Sequence, residues 1–143
     1  MRSLTPLYEK VYDAYSKIDS STIMFFETAQ YPDSGLGKVN NTGFISPPGG
    51  QNNSAHHVLN DHTYCCQLGG DVCATGEPAE DKAAECLAFH KLRIDTRAVD
   101  AAGLKIPFII SEFGACLDSE VCAREITQVG EVADNVLAGW AYW

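Results

Sequence analysis

Apolar residues recur at helical spacing in three parts of the chain. Thr5 and Pro6 are typical of a helix start, because threonine caps free backbone N–H groups and proline suits the first helical position. The residues after them predict one apolar face, formed by Leu7, Val11, Ala14, Tyr15 and Ile18. Residues 78–102 predict a second helix, which Gly103 ends, with a stripe at Ala83, Leu87, His90, Ile94 and Ala98. Asp118 or Ser119 caps a third, with Cys122, Ile126, Val129 and Ala133 on one side.

Four apolar runs between these helices predict strands, over residues 22–29, 56–64, 105–112 and 135–143. The order of elements is therefore α, β, loop, β, α, β, α, β, in which residues 30–56 form a long loop rich in Gly, Pro and Asn. Alternating strands and helices favour parallel strands with right-handed crossovers. Near-continuous apolar strands are typical of parallel sheets that are covered on both faces. The sequence thus predicts an α/β fold with parallel strands.

Polar and aromatic side chains cluster at the predicted carboxyl ends of these strands, where parallel α/β sheets bind their ligands. The strand ends carry Glu27, His62, Tyr64, Glu112, Trp140, Tyr142 and Trp143. A carboxylate at the end of a buried strand needs a reason, since burying an unpaired charge is costly. Carboxylates beside aromatic faces suit a sugar site, because the rings stack on sugars and the acids serve glycosidic chemistry.

Charge and composition exclude several other classes of function. The net charge is −9, and Lys and Arg form no cluster, which disfavours nucleic acid and anionic membranes as partners. No apolar run approaches the ~20 residues that span a bilayer. The first residues lack the apolar core of a signal peptide, so none is expected in this chain. Glycine-rich phosphate loops and the GxSxG elbow of serine hydrolases are also missing from the sequence.

The six cysteines favour disulfides over a metal site. An even count indicates an oxidising compartment, and sequons at Asn40 and Asn52 agree with it, so the parent protein is expected to be extracellular or in the secretory pathway. No CxxC spacing is present, and neither a metal nor a cofactor is expected. Cys116 can pair with Cys122, while Cys65 or Cys66 can pair with Cys73 or Cys86. The alternative is that all six are reduced thiols packed as small apolar residues.

Three motifs resemble glycoside hydrolase family 5. "IISEFGA" resembles the strand-seven motif, in which the glutamate before Phe-Gly is the nucleophile; "NDHTYC" resembles the strand-six His-x-Tyr; and "GWAYW" resembles the strand-eight tryptophan segment. The combination is most similar to the endoglycoceramidase-related branch, over residues 5–143. The resemblance implies a (β/α)8 TIM barrel, of which this chain holds only helix four and strands five to eight, the C-terminal half. The family's acid/base lies in an Asn-Glu dipeptide, and this sequence contains none.

The resemblance implies roles for the strand-end residues. Glu112 is the expected nucleophile, although a strand-end glutamate can instead simply pair with Lys or Arg. Tyr64 is expected to orient Glu112 by a hydrogen bond, His62 to bind substrate, and Trp143 to stack on a sugar. Glu27 either contacts substrate hydroxyls or binds a neighbouring Lys or Arg, while Trp140 is expected to pack between strand and helix.

Two functions remain open at this point. The first is a retaining glycosidase that acts on glycans or glycolipids such as glycosylceramides, inactive as these 143 residues alone and completed by the N-terminal half of the barrel. The second is a non-catalytic carbohydrate-binding or interaction protein derived from a half barrel, which a second copy of the chain completes.

Overall fold

The computed structural model of the chain describes residues 4–29, 39–69, 72–73, 77–114 and 116–143. The helices are α1 (Leu4–Tyr15), α2 (Ala83–Leu104) and α3 (Glu120–Asn135). The strands are β1 (Met24–Glu27), β2 (His57–His62), β3 (Phe108–Glu112) and β4 (Gly139–Trp140). Short 3-10 helices cover Gln51–His56, Cys65–Leu68 and Glu80–Lys82.

The strands form one sheet in the order β1-β2-β3-β4, and every neighbouring pair is parallel. The predicted α/β fold with parallel strands is therefore confirmed. A core of buried apolar side chains joins the sheet to the helices, and it includes Phe26, Leu59, Ile94, Ile110 and Val129. Along β2 every second residue, from His57 onward, is buried against this core, while the residues between them stay partly exposed. The sheet thus has one covered face and one more open face.

Several predicted boundaries were wrong. The segment 135–143 is mostly not strand, because α3 continues to Asn135 and only Gly139–Trp140 pair as β4. The helix that Gly103 was expected to end continues to Leu104, and Lys105 closes it in the left-handed conformation. Single glycines inside a helix cost only about 1 kcal/mol, so a well-packed helix tolerates one. The cap at Ser119 is confirmed, since its side chain accepts a hydrogen bond from the backbone N–H of Cys122.

The apolar face predicted on α1 is not buried. Leu7 and Val11 are 53% and 44% exposed, and Ile18 lies beyond the helix end and is 89% exposed. Tyr8, which was not on the predicted face, packs on the core instead and lies edge-on to Phe26. A groove of about 310 Å³ separates α1 from β1 and is mostly apolar. The pattern therefore identified an apolar surface that the described residues leave open.

The segment predicted as a long loop over residues 30–56 is only partly described, since 30–38 lie outside the described residues. Residues 39–50 are irregular, and the prediction was wrong for the rest, which forms the 3-10 helix Gln51–His56. Phe44 packs edge-on against Phe26, with ring centroids 5.1 Å apart. Asp100 of α2 accepts hydrogen bonds from the side chain of Asn41 and the backbone N–H of Thr42. The described part of this crossover therefore packs against the core and α2.

Buried charges join the middle of β2 to α2. Asp61 is completely buried, and its carboxylate accepts hydrogen bonds from Arg93 Nη2 at 2.7 Å and from Arg97 Nε at 2.8 Å. Arg93 Nε also donates to the backbone carbonyl of His62 at 2.6 Å. Buried charges are tolerated only when they are paired and hydrogen-bonded. This cluster therefore fixes the position of β2 along α2, next to the strand-end residues.

Three disulfides close the loops at the carboxyl ends of the strands. Cys65 bonds to Cys86 and Cys66 to Cys73, just after β2, and Cys116 bonds to Cys122 after β3. The structure thus resolves the pairing that the sequence left open. Disulfides of this number are typical of proteins in an oxidising environment.

Removing the Cys65–Cys86 bond by exchanging both residues for alanine is expected to lower the free energy of unfolding by about 3 kcal/mol, since the bond closes 21 residues. The Cys66–Cys73 bond closes only 7 residues, so the same exchange there should lower the free energy of unfolding by about 2 kcal/mol. Urea unfolding followed by circular dichroism measures both variants. Equal stability of the wild type and the Cys65/Cys86 variant would contradict the expectation.

Candidate functional site

A break in strand register decides which way Glu112 points. Asp61 pairs with Ile110, but the next residue, His62, pairs with Glu112, so Ser111 is an extra residue in β3. Successive strand residues face opposite sides of a sheet, and one extra residue therefore reverses the alternation. The bulge turns Glu112 onto the same face as His62, where its side chain stays 35% exposed. An apolar strand can thus end in a carboxylate that is not buried.

Two side chains of the β2 end contact the Glu112 carboxylate. The Tyr64 hydroxyl donates a hydrogen bond to Oε2 at 3.1 Å, and His62 Nδ1 lies 3.4 Å from the same oxygen. His62 and Tyr64 are two positions apart, so an extended chain places them on one face. Among the described residues, these two are the hydrogen-bond and ion-pair partners of Glu112, rather than a lysine or arginine. The two contacts hold Oε2 of Glu112 in a fixed direction.

Glu27 lies on the other side of His62. Its Oε2 accepts a hydrogen bond from Asn60 Nδ2 at 3.0 Å and lies 3.4 Å from His62 Nε2. The side chain is 34% exposed, and its partners among the described residues are these two. The imidazole of His62 therefore lies between two carboxylates from two different strands. The structure brings together four of the five predicted site residues, Glu27, His62, Tyr64 and Glu112.

Trp143 lies at the same end of the sheet but outside this cluster. Its backbone N–H donates to the carbonyl of Phe113 at 2.9 Å, and its side chain is 68% exposed. None of the hydrogen bonds, ion pairs or ring contacts among the described residues joins its indole to Glu112. Trp140 instead packs edge-on to Phe113 and donates its indole N–H to Asp134 of α3. Its place between strand and helix agrees with the packing role predicted from the sequence.

The Phe-Gly pair after Glu112 has a structural reason. Phe113 is fully buried, and Tyr142 packs edge-on against its ring with centroids 6.0 Å apart. Gly114 has a φ of 94°, and a Cβ atom there would lie 2.3 Å from the Tyr142 ring. Glycine is therefore required on both counts, conformation and space. The pair anchors the chain directly after Glu112.

The environment of Tyr64 raises its pKa to about 12. Burial is the larger cause, and the hydrogen bond to the Glu112 carboxylate adds to it. Both effects disfavour the phenolate, which is charged and would repel Glu112. Tyr64 therefore stays a hydrogen-bond donor to Glu112 across the physiological range of pH.

A pH titration tests this coupling. Exchanging Glu112 for glutamine is expected to lower the Tyr64 pKa only part of the way towards 10, because burial and a hydrogen bond to the glutamine oxygen remain while the charge is lost. The neutral hydroxyl contributes stability that is present below about pH 10 and lost as the pH rises through 12. Carbon-13 NMR of labelled tyrosines measures the pKa, with Glu131→Gln on the exposed side of α3 as the control. An unchanged Tyr64 pKa in the Glu112 variant would show that the carboxylate charge does not act on the hydroxyl, and would contradict the coupling.

Asn60 belongs to the site and was not identified from the sequence. It lies two residues before His62 on β2, and the register pairs it with Glu27. The same spacing of two that links His62 to Tyr64 places Asn60 on the open face as well. The sequence therefore contained the signal that Asn60 faces the site, in the alternating residues Asn60, His62 and Tyr64.

One group of described residues has the composition of a metal site, Glu77 with Cys116 and Cys122. The two sulfur atoms are bonded to each other, and a disulfide sulfur is not the thiolate that binds metals. Glu77 accepts a hydrogen bond from Ser119 and so supports the start of α3. The cluster's chemistry fits a structural role.

Comparison with solved structures finds similar folds in carbohydrate-active proteins. Endo-glycoceramidase II from Rhodococcus sp. matches as its lactosyl-enzyme intermediate with a TM-score of 0.67 and 22% identity, and as its complex with a cellobiose-like imidazole with 0.69 and 21%. The cellulose synthase subunit Z from Clostridioides difficile matches with a TM-score of 0.64 and 17% identity. Each match covers 98% of this chain.

The chain spans only part of these proteins, 29–30% of the Rhodococcus enzyme and 47% of the clostridial subunit. No protein-family model matches the sequence, and no curated protein does. At identities this low the likeness shows the fold alone. The chain has part of a TIM-barrel-like fold. None of the described helices is both long and apolar enough to cross a membrane.

Proposed function

We propose that this chain supplies the nucleophile side of a retaining glycoside hydrolase site, of the family 5 kind, with Glu112 as the nucleophile. The observation that carries the proposal is the hydrogen bond from Tyr64 to Glu112, made at the carboxyl ends of parallel strands. It holds one carboxylate in a fixed direction on a partly open face. That is what covalent glycosidic catalysis requires of its nucleophile.

In this mechanism an oxygen of ionised Glu112 attacks the anomeric carbon of the sugar. The bond to the leaving oxygen breaks as a second carboxylic acid protonates it, and a glycosyl ester of Glu112 forms. Water, deprotonated by that second group, then attacks the same carbon and releases Glu112 as a carboxylate. The two inversions give net retention. Tyr64 steadies the carboxylate before attack and after release.

The acid/base is proposed to come from the barrel half that this chain does not include. Glu27 does not suit that role, because the His62 imidazole lies between its carboxylate and that of Glu112, where the substrate would have to bind. The exposed apolar residues at the free side of β1, Leu7, Val11, Ile23 and Phe25, are suited to cover by neighbouring strands and helices of the same barrel. Substrate stacking on Trp143, a contact of His62 with the sugar, and a secreted parent protein belong to the same proposal.

Product stereochemistry tests the proposal. The protein to assay carries residues 1–143 together with the preceding half of the barrel. Aryl β-lactoside, aryl β-cellobioside and a fluorescent glycosylceramide are suitable substrates, because the structural neighbours were solved with lactosyl and cellobiose-like groups. Proton NMR of the first-formed sugar is expected to show retained configuration. Inverted product, or no turnover of any of them, would contradict the proposal.

A second candidate function is carbohydrate binding without catalysis. It is favoured by the partly exposed side chains of Glu27 and Glu112 and the exposed Trp143, which can contact a sugar without a second carboxylic acid. Titration of the 143-residue chain with cellobiose, lactose and a glycosylceramide, followed by NMR, separates the two. If this chain binds these sugars and the longer protein shows no turnover, the binding function is favoured.

A further inference from the structure

We propose that Glu27 and Asn60 form a positioning pair that keeps a hydrogen on His62 Nδ1, directed at Glu112, whether the imidazole is neutral or charged. The pair acts through His62, and its purpose rests on the function proposed above. It gives Glu27 a role different from contacting substrate or binding a lysine or arginine.

The orientation of the Asn60 side chain is set by Glu27. The register places the two residues opposite each other on β1 and β2, and Asn60 Nδ2 lies 3.0 Å from Glu27 Oε2. An ionised carboxylate only accepts hydrogen bonds, so the amide nitrogen and not the amide oxygen must face it. The Asn60 oxygen Oδ1 is buried without a hydrogen-bond partner among the described residues. Leaving this acceptor unpaired is costly, but the reverse orientation would point the oxygen at the Glu27 carboxylate. The contact with Glu27 therefore decides the orientation.

That orientation decides which nitrogen of neutral His62 carries the hydrogen. Asn60 Nδ2 lies 3.5 Å from His62 Nε2, so the amide presents a donor to this ring nitrogen. A nitrogen that receives a hydrogen bond must be unprotonated, which leaves the ring hydrogen on Nδ1. Nδ1 in turn lies 3.4 Å from Glu112 Oε2. In the neutral ring, Glu112 therefore faces the Nδ1 hydrogen and not a lone pair.

The charged ring preserves the same arrangement. Imidazolium carries hydrogens on both nitrogens, and the second hydrogen faces Glu27, whose Oε2 lies 3.4 Å from Nε2. Arg93 donates to the backbone carbonyl of His62 at 2.6 Å, which fixes the main chain that carries the ring. In both states the Tyr64 hydroxyl and the His62 Nδ1 hydrogen face one oxygen of Glu112, and its other oxygen is left for attack.

Nitrogen-15 NMR of the 143-residue chain, labelled at histidine, reads the tautomer directly and needs no turnover. His62→Gln assigns the signal among the four histidines. At a pH where the ring is neutral, wild-type His62 is expected to show a protonated Nδ1. Asn60→Asp replaces the donor by an acceptor and should move the hydrogen to Nε2. Glu27→Leu should also shift the tautomer towards Nε2, whereas Glu27→Gln, which still accepts from Asn60, should retain the wild-type state.

A fold control comes from His90, which is buried between Thr63 and Glu125 and should keep its signals in every variant. If the Asn60→Asp variant loses the His90 signals, it has not folded. The wild-type tautomer and the Glu27→Leu variant then decide whether the proposal holds. Wild-type His62 with its hydrogen on Nε2 would overturn the proposal, and so would a tautomer that neither variant alters. Failure of Glu112 to act as the nucleophile, with the wild-type tautomer on Nδ1, would overturn the proposed function and leave the pair's effect on His62 intact.

Discussion

Exchanging Glu112 for glutamine is expected to lower the kcat of the complete barrel by roughly 10⁴-fold, the scale of loss when one member of a catalytic set is removed. Glutamine keeps the size of the side chain and still accepts a hydrogen bond from Tyr64, but its amide oxygen is a very weak nucleophile. Substrate binding should change little, so the loss should fall on kcat and kcat/KM alike. Initial rates on an aryl β-glycoside measure both constants.

Two further variants sharpen this prediction. Glu131→Gln removes an exposed carboxylate of α3 and should leave the rate unchanged. Glu112→Ala leaves a space in which added azide can attack the anomeric carbon of an activated aryl glycoside, expelling the aryl oxide and giving a glycosyl azide of inverted configuration. A Glu112→Gln enzyme that keeps a tenth or more of the wild-type rate would contradict the assignment.

Exchanging Asp61 for alanine is expected to lower the free energy of unfolding by about 3–5 kcal/mol, or to prevent folding altogether. The change leaves Arg93 and Arg97 buried beside an empty space, and each loses a hydrogen bond of 2.7–2.8 Å to a carboxylate. An uncompensated buried charge costs far more than the ion pair contributes. Urea unfolding followed by circular dichroism measures the effect.

The matched control is Asp95→Ala on the same helix that carries both arginines. Asp95 pairs with Lys91 at 2.7 Å, a distance as short as that in the buried cluster, but the side chains of Lys91 and Asp95 are 63% and 43% exposed. Exposed pairs of this kind contribute less than about 1 kcal/mol. Similar losses in the two variants would mean that burial does not matter here, and the role given to Asp61 would be wrong.

The strand ends could be read from the sequence because parallel strands impose a common direction. Once the runs ending in Glu27, Tyr64 and Glu112 were recognised as parallel strands, their carboxyl ends had to meet. The pattern does not show the bulge at Ser111, although the bulge is what turns Glu112 to the open face. Alternation alone would have placed Glu112 on the side of Ile110, against the core.

Other features depend on partners that no local pattern encodes. Arg93 and Arg97 lie on the buried side of α2, where charges are not expected until their contacts with Asp61 are known. The pairing of Cys65 and Cys66 was ambiguous because the two are adjacent in the sequence, and only the fold decides which way each side chain points. The apolar face of α1 was recognised correctly as apolar, but the surface that would cover it is not part of the described residues.

Identification of the residue that carries the sugar during turnover is the most direct test. A complete barrel that includes this chain is incubated with a 2-deoxy-2-fluoro glycoside bearing a dinitrophenyl leaving group, which forms the glycosyl ester faster than water releases it. Digestion and mass spectrometry then locate the label. The account predicts one fluorosugar on the peptide that contains Glu112. A fluorosugar attached to any other residue would contradict it.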